Sequence, residues 1–191
     1  MKPVPSDPGD SSEGPRPEGP RLQARSAWSF DHVYGEYFPF VWRCLRALGV
    51  PLRALDDVAH DVFLVVHRQL PNFRGESSAQ TWLFGIARHV ASNHKRWSRR
   101  KQAPLEPLGS DAPDLARGPL EHAQDAEAAA FVAAFLARTD EKKRDLFILA
   151  VLEQMTIPEV AAALSIPINT AYTRLRAVRA DFERALGHHE P

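Results

Sequence analysis

The sequence predicts an all-α chain: two small helical domains joined by a flexible linker, behind a disordered N-terminal tail. Apolar residues recur at three- and four-residue steps in several stretches, the period of a helix that buries one face. No stretch alternates apolar and polar residues as a half-buried strand does. The composition also breaks twice, at a Pro/Gly/Ser-rich start and at a second proline-rich interval past the middle of the chain.

The tail, residues 1–25, repeats "EGPR" at Glu13 and Glu18 and has almost nothing apolar to bury. A first domain is expected over 26–102. Its opening helix shows Phe30, Val33, Tyr34, Tyr37, Val41, Cys44, Leu45 and Leu48 on one face. Pro39 bends it or divides it into two short helices, and the "GVP" at Gly49 ends it. The next helix has Asp56 or Asp57 as an N-terminal cap, lines one side with Val58, Val62, Val66 and Leu70, and stops at Pro71. "SSAQ" from Ser77 has the form of a capping box and starts a third helix through about Arg99. A linker follows over 103–122, with Pro104, Pro107, Pro113 and Pro119. The second domain, 123–187, holds a strong helix former and then helical patterns over 140–153, 157–164 and 170–186.

Composition excludes several classes. An apolar fraction of 44% is enough for a packed core, yet no apolar run approaches the length that spans a bilayer. The first residues lack the basic-then-apolar order of a signal peptide. The single cysteine, Cys44, excludes an intrachain disulfide and a cysteine-cluster metal site, and reads as a buried inert thiol. Neither a His-Glu-x-x-His pair nor a nucleophile elbow nor a phosphate loop is present, so no catalytic residue, metal or cofactor is expected and the chain reads as a cytoplasmic non-enzyme.

A net charge of zero hides a segregated distribution. Residues 77–105 contain no Asp or Glu, while the interval after them carries Asp111, Asp114, Glu121, Asp125 and Glu127. On the third helix Leu83, Ile86, Ala87 and Val90 project inward. Gly85, Arg88, Ser92, Lys95, Arg96 and Arg99 project outward, and the basic part from Arg88 to Arg99 runs about three turns, roughly 16 Å, long enough to meet several phosphates. Arg100 extends the basic run. Trp82, Phe84 and Trp97 interleave with it, either as core or as stacking platforms for unpaired bases.

Near the C-terminus, "TIPE" at Thr156–Glu159 is a second capping box opening a short helix. Ser165-Ile166-Pro167 turns the chain, and Asn169 is placed to cap the next helix, which together make a helix-turn-helix. On that last helix Ala171, Leu175, Val178, Phe182 and Leu186 face inward. Asn169, Thr173, Arg176 and Ala180 face outward, flanked by Thr170, Ala177 and Tyr172, with Arg174 and Arg179 near the boundary and able to reach phosphates. Small and hydrogen-bonding residues around an Arg suit a major groove.

Together "DDVAHDVFLVVHRQLPNFRG", "TWLFGIARHVASNHKR" and "RDLFILAVLEQMTIPEVAAALSIPINTAYTRLRAVRADF" resemble an extracytoplasmic-function (ECF) sigma factor of the sigma-70 type, over nearly everything from Ser26 to Leu186. The resemblance implies a sigma region 2 bundle and a sigma region 4 helix-turn-helix. It implies that the chain directs RNA polymerase core to promoters and assists promoter opening. Asp57, His60 and Asp61 match the helix that binds the polymerase β′ clamp helices, and the second domain is implied to touch the β flap. Asn72, Phe73 and Arg74, in the loop through Ser77, match the segment that holds an extruded −10 base. Arg88, Ser92, Lys95, Arg96, Arg99 and Arg100 lie on the matching −10 DNA helix. Asn169, Thr170, Tyr172, Thr173, Arg174, Arg176 and Arg179 lie on the −35 recognition helix. An anti-sigma factor is implied by the resemblance alone. The rival reading is a stand-alone helix-turn-helix regulator that binds DNA without polymerase.

Overall fold

A computed structural model describes residues 29–101 and 119–188, with side chains described for 29–100 and 127–188. The tail over 1–25 and the linker through residue 118 lie outside these. All the elements are helical: among the described residues there is no strand and no helix long and apolar enough to cross a membrane.

Three helices form an N-terminal bundle. Helix α1, Phe30–Ala47, starts where Ser29 accepts from the His32 N–H at 3.2 Å, and Pro39 lies within it, so the apolar face is carried by one helix rather than two. Gly49, at φ +85°, reverses the chain in a conformation that a side chain resists. Helix α2, Leu52–Gln69, begins a turn earlier than the carboxylate caps imply. Pro51 takes the cap position, and the helix formers of "LRAL" extend the helix upstream. Asp56 instead accepts from the Trp42 indole N–H at 3.1 Å, tying α2 to α1. A 3-10 turn, Leu70–Asn72, closes α2 at Pro71. Helix α3, Ala79–Lys101, is capped by Ser78 rather than Ser77: the Ser78 hydroxyl accepts from the Thr81 N–H at 3.2 Å. The three helices pack pairwise around Leu45, Leu55, Phe63, Leu83 and Phe84. Cys44 is buried among them, and burial pushes its thiol well above the ordinary range.

Four helices form the C-terminal bundle. Helix α4, Pro119–Arg138, starts inside the interval expected to be linker, because a proline at the first helical position gives up no hydrogen bond. Helix α5, Glu141–Phe147, is capped by Asp140, which accepts from the N–H groups of Lys142 and Lys143. It continues as a π-helical turn, Ile148–Leu152. Helix α6, Ile157–Ala163, opens on the expected capping box: the N–H and the hydroxyl of Thr156 both donate to Glu159, at 2.9 and 2.7 Å, which holds that carboxyl below its ordinary range. Helix α7, Ile168–Gly187, follows a tight turn. Its cap is Pro167, so Asn169 falls inside the first turn and does not cap it, because Pro167 already supplies the extended backbone at the boundary. Phe147 is buried and packs its ring 5.4 Å from Phe135 and 5.2 Å from Phe182.

The turn between α6 and α7 places Ser165 at φ +52°, in the left-handed region. An L side chain there costs about 1–2 kcal/mol, partly offset by the extra freedom a glycine has when unfolded. Ser165→Gly is therefore expected to raise stability by about 0.5–1 kcal/mol, read as a higher urea midpoint. A lower midpoint would show that the Ser165 side chain stabilises the turn.

The bundles are in contact. Helix α3 packs on α6, and the buried apolar residues of both bundles form one continuous cluster.

Candidate nucleic-acid interface

Three surfaces collect the residues singled out above. The first is the outer face of α3. Ser92, Arg96, Arg99 and Arg100 are exposed there, and Arg96 donates to Asn93 Oδ1 at 2.9 Å, which orients the guanidinium along the helix. Lys95 is half-buried, and burial together with the nearby Arg144 and Arg99 lowers its pKa. Arg88 is different from its neighbours. Its Nε lies 2.7 Å from Asp145 Oδ2 and its Nη2 lies 3.0 Å from Glu141 Oε1, both on α5. The cleft between α3 and α5 has a volume of about 250 Å³ and is lined by Arg88, Lys95, Arg96 and Arg99 on one side and Glu141, Arg144 and Asp145 on the other.

Asp145 has only 2% of its side chain exposed, and its Oδ1 is buried with no hydrogen-bond partner. Burial pushes its carboxyl up to about 6, against the lowering effect of Arg88 and Arg144; Glu141 and Asp140 add to the rise. Desolvation here outweighs the ion pair.

The second surface lies beside the start of α3. Gln69, Asn72, Phe73, Arg74, Glu76, Ser77 and Trp82 line a cavity of about 450 Å³. The Phe73 and Trp82 rings stack with centroids 4.5 Å apart and planes 26° apart, giving the cavity an aromatic wall amid amide, hydroxyl and guanidinium groups. A flat aromatic wall with polar groups around it accommodates an unstacked base. This also resolves the role of the aromatics in the basic run: Phe84 is core, Trp82 is half-buried in the cavity wall, and Trp97 is 55% exposed.

The third surface is α7. Ala171, Leu175 and Val178 are buried as their spacing implies, Phe182 is half-buried, and Leu186 is exposed near the helix end. Asn169, Tyr172, Thr173, Arg176 and Arg179 are exposed, while Thr170 and Arg174 are half-buried. The Thr173 hydroxyl donates to the Asn169 carbonyl at 2.9 Å, which fixes its side chain along the helix. A groove of about 740 Å³ runs beside this face, with Thr156 and Ile157 from the start of α6 and Tyr172, Thr173, Arg176 and Arg179 from α7. Ile168, exposed at the first turn, had no periodic signal to mark it.

On α2, Asp57, His60 and Asp61 are all exposed on one face. Leu64, one turn on and 47% exposed, continues that face with an apolar side chain. Its spacing from His60 and Asp61 was the available clue. Among the described residues no group of His, Cys, Asp and Glu could hold a metal ion.

Comparison with known proteins places this arrangement. Residues 33–101 match sigma-70 region 2. The ECF RNA polymerase sigma factor SigC of Mycobacterium tuberculosis is 30% identical over 139 residues, 73% of this chain and 73% of that protein. Two solved structures share the fold. CnrH, in complex with the cytosolic domain of CnrY, superposes with a TM-score of 0.66 at 23% identity, covering 89% of this chain and 98% of that one. The sigma factor RpoE of Bartonella quintana, in complex with the anti-sigma factor NepR, superposes with a TM-score of 0.63 at 17% identity, covering 84% and 98%. The chain belongs to the ECF RNA polymerase sigma factors, the subunits that direct RNA polymerase in transcription initiation.

Proposed function

We propose that this sigma factor grips promoter DNA at two places, with α3 and the Phe73–Trp82 cavity on the −10 element and α7 on the −35 element. The observation that carries the reading is the pairing of a basic helix face with an aromatic-walled cavity on one bundle and a basic, outward-facing second helix of a helix-turn-helix on the other. Arg96, Arg99 and Arg100 anchor the backbone, and the cavity holds a base drawn out of the stack, which assists opening. Arg176, with Asn169 and Thr173, reads base edges, while Arg174 and Arg179 reach phosphates. The exposed α2 face of Asp57, His60 and Asp61 docks on the β′ clamp helices, with Leu64 adding apolar contact, and the C-terminal bundle meets the β flap. Polymerase core supplies the catalysis, so the chain itself is not an enzyme and works in the cytoplasm where polymerase is. The RpoE complex supports an anti-sigma factor as a further partner.

Run-off transcription with purified core polymerase on candidate promoters tests the reading. The two grips are expected to respond differently to mutation. Arg176→Ala should relax base preference at one upstream position by about 1–3 kcal/mol. Arg99→Ala should weaken binding to every sequence and reduce the salt slope by about 1. Equal effects of both substitutions on random DNA would remove this division of labour.

A further inference from the structure

Two of the large apolar side chains exposed among the described residues lie on α7, the helix assigned to base edges. Ile168 is 48% exposed and Tyr172 is 55% exposed. Neither belongs to the buried cluster or packs against it, so the fold does not account for them. Apolar residues scattered singly over a surface are ordinary. These two are not scattered. They are four residues apart on one helix, and Arg176 continues the same spacing, so the three side chains form a row along α7.

The row lies in basic surroundings. Arg174 and Arg179 stand beside it, and no Asp or Glu occurs in the sequence between Glu159 and Asp181. Tyr172, Arg176 and Arg179 also line the groove of about 740 Å³ that they share with Thr156 and Ile157. A surface of this charge attracts a polyanion. The polar neighbour on the face is already engaged, since the Thr173 hydroxyl donates to the Asn169 carbonyl at 2.9 Å. What DNA offers an aliphatic side chain in its major groove is narrow. The C5 methyl of thymine is the apolar group on the base edges there, and every other group needs a hydrogen-bond partner that Ile168 lacks.

We propose that Ile168, with Tyr172 beside it, is a specificity-determining residue that reads the C5 methyl of a thymine in the upstream element, on the same row from which Arg176 reads a guanine. The inference rests on the assignment of α7 to DNA and adds the base that the helix selects. Ile168 begins the helix, and the N-terminal residues of the second helix are those that reach base edges in a helix-turn-helix. From Ile168 to Arg176 the row spans about 12 Å at about 1.5 Å per residue, and base pairs stack at about 3.4 Å. The thymine therefore falls within about four base pairs of the guanine.

The full chain, assembled with purified core polymerase, is used to select sequences from a randomised duplex library. In the upstream element recovered, each thymine is then replaced by uracil, which removes the methyl and leaves every hydrogen-bonding group in place. One such replacement near the guanine should weaken binding by the parent about fourfold, the loss expected when one carbon group is no longer buried. Ile168→Ala should bind the thymine and uracil duplexes alike, whereas Ile168→Val, which keeps an aliphatic branch, should still prefer thymine. Ile168 lies outside the core, so the alanine variant should keep the parent's urea midpoint. Equal binding of both duplexes by the parent overturns the proposal, as does a selected element with no thymine in that span. A thymine preference that persists in full in Ile168→Ala overturns it too. If that variant instead loses retention of core polymerase and keeps the thymine preference, the apolar pair covers protein and the proposal fails. The assignment of α7 to bases is read separately: it fails if Arg176→Ala selects the same guanine as the parent.

Discussion

Replacing Phe147 with alanine should unfold the C-terminal bundle while the N-terminal bundle stays folded. Phe147 is buried, touching Phe135 and Phe182 at ring distances of 5.4 and 5.2 Å, and it joins α5 to α4 and α7. Removing a buried phenylalanine costs about 3–5 kcal/mol, because the lost apolar transfer is joined by a cavity that a close-packed core closes only in part. A small helical domain has little more than that to lose. The loss would take α7 with it, since Leu175 and Val178 pack into the same core. The chain supplies its own probe: all four tryptophans, Trp28, Trp42, Trp82 and Trp97, precede α4 in the sequence. Urea melts should then separate, with far-UV circular dichroism falling at low urea and tryptophan fluorescence changing only at higher urea. A single coincident transition displaced by less than about 1 kcal/mol would show that Phe147 is not the keystone of that bundle.

Acidification should stabilise the folded chain between about pH 6 and pH 4. Asp145 titrates near 6 when buried against Arg88, Glu141, Arg144 and Asp140, and near 3.8 when exposed. Between those values the folded state holds the extra proton, so stability is greatest below the exposed value and is lost as pH rises through the buried one. The span corresponds to about 3 kcal/mol. The lowered carboxyls of Glu159 and Asp181 act in the opposite direction, and their contribution is lost as pH falls from the ordinary carboxylate range through their folded values. The Asp145 effect should therefore dominate the window above pH 4. Urea midpoints measured from pH 4 to pH 7 should fall, and Asp145→Asn should flatten the slope. A slope that survives Asp145→Asn would move its origin to another group.

Much of the site could be read from the chain alone, because its geometry is local. The outward placement of Arg96, Arg99 and Arg176 follows from 100° per residue along one helix, and so does the burial of Leu83, Ala171 and Val178. The Thr156–Glu159 box depends on neighbours three residues apart and formed as its spacing implied. Helix starts were read less well. Asp56, Ser77 and Asn169 all have cap chemistry, but Pro51, Ser78 and Pro167 took the boundary, where backbone stiffness and helix propensity upstream compete with a side-chain cap over one or two residues.

The sequence by itself determined the helical class, the segregated charge and the two basic helices, since each is written in the spacing of residues that share a helix. Only the tertiary structure decided what those charges meet. Arg88 and Glu141 are 53 residues apart and Arg43 and Glu153 are 110 apart, and no periodicity links them. Their pairing, and the raised carboxyl of Asp145, come from one bundle closing on another and removing water from between them.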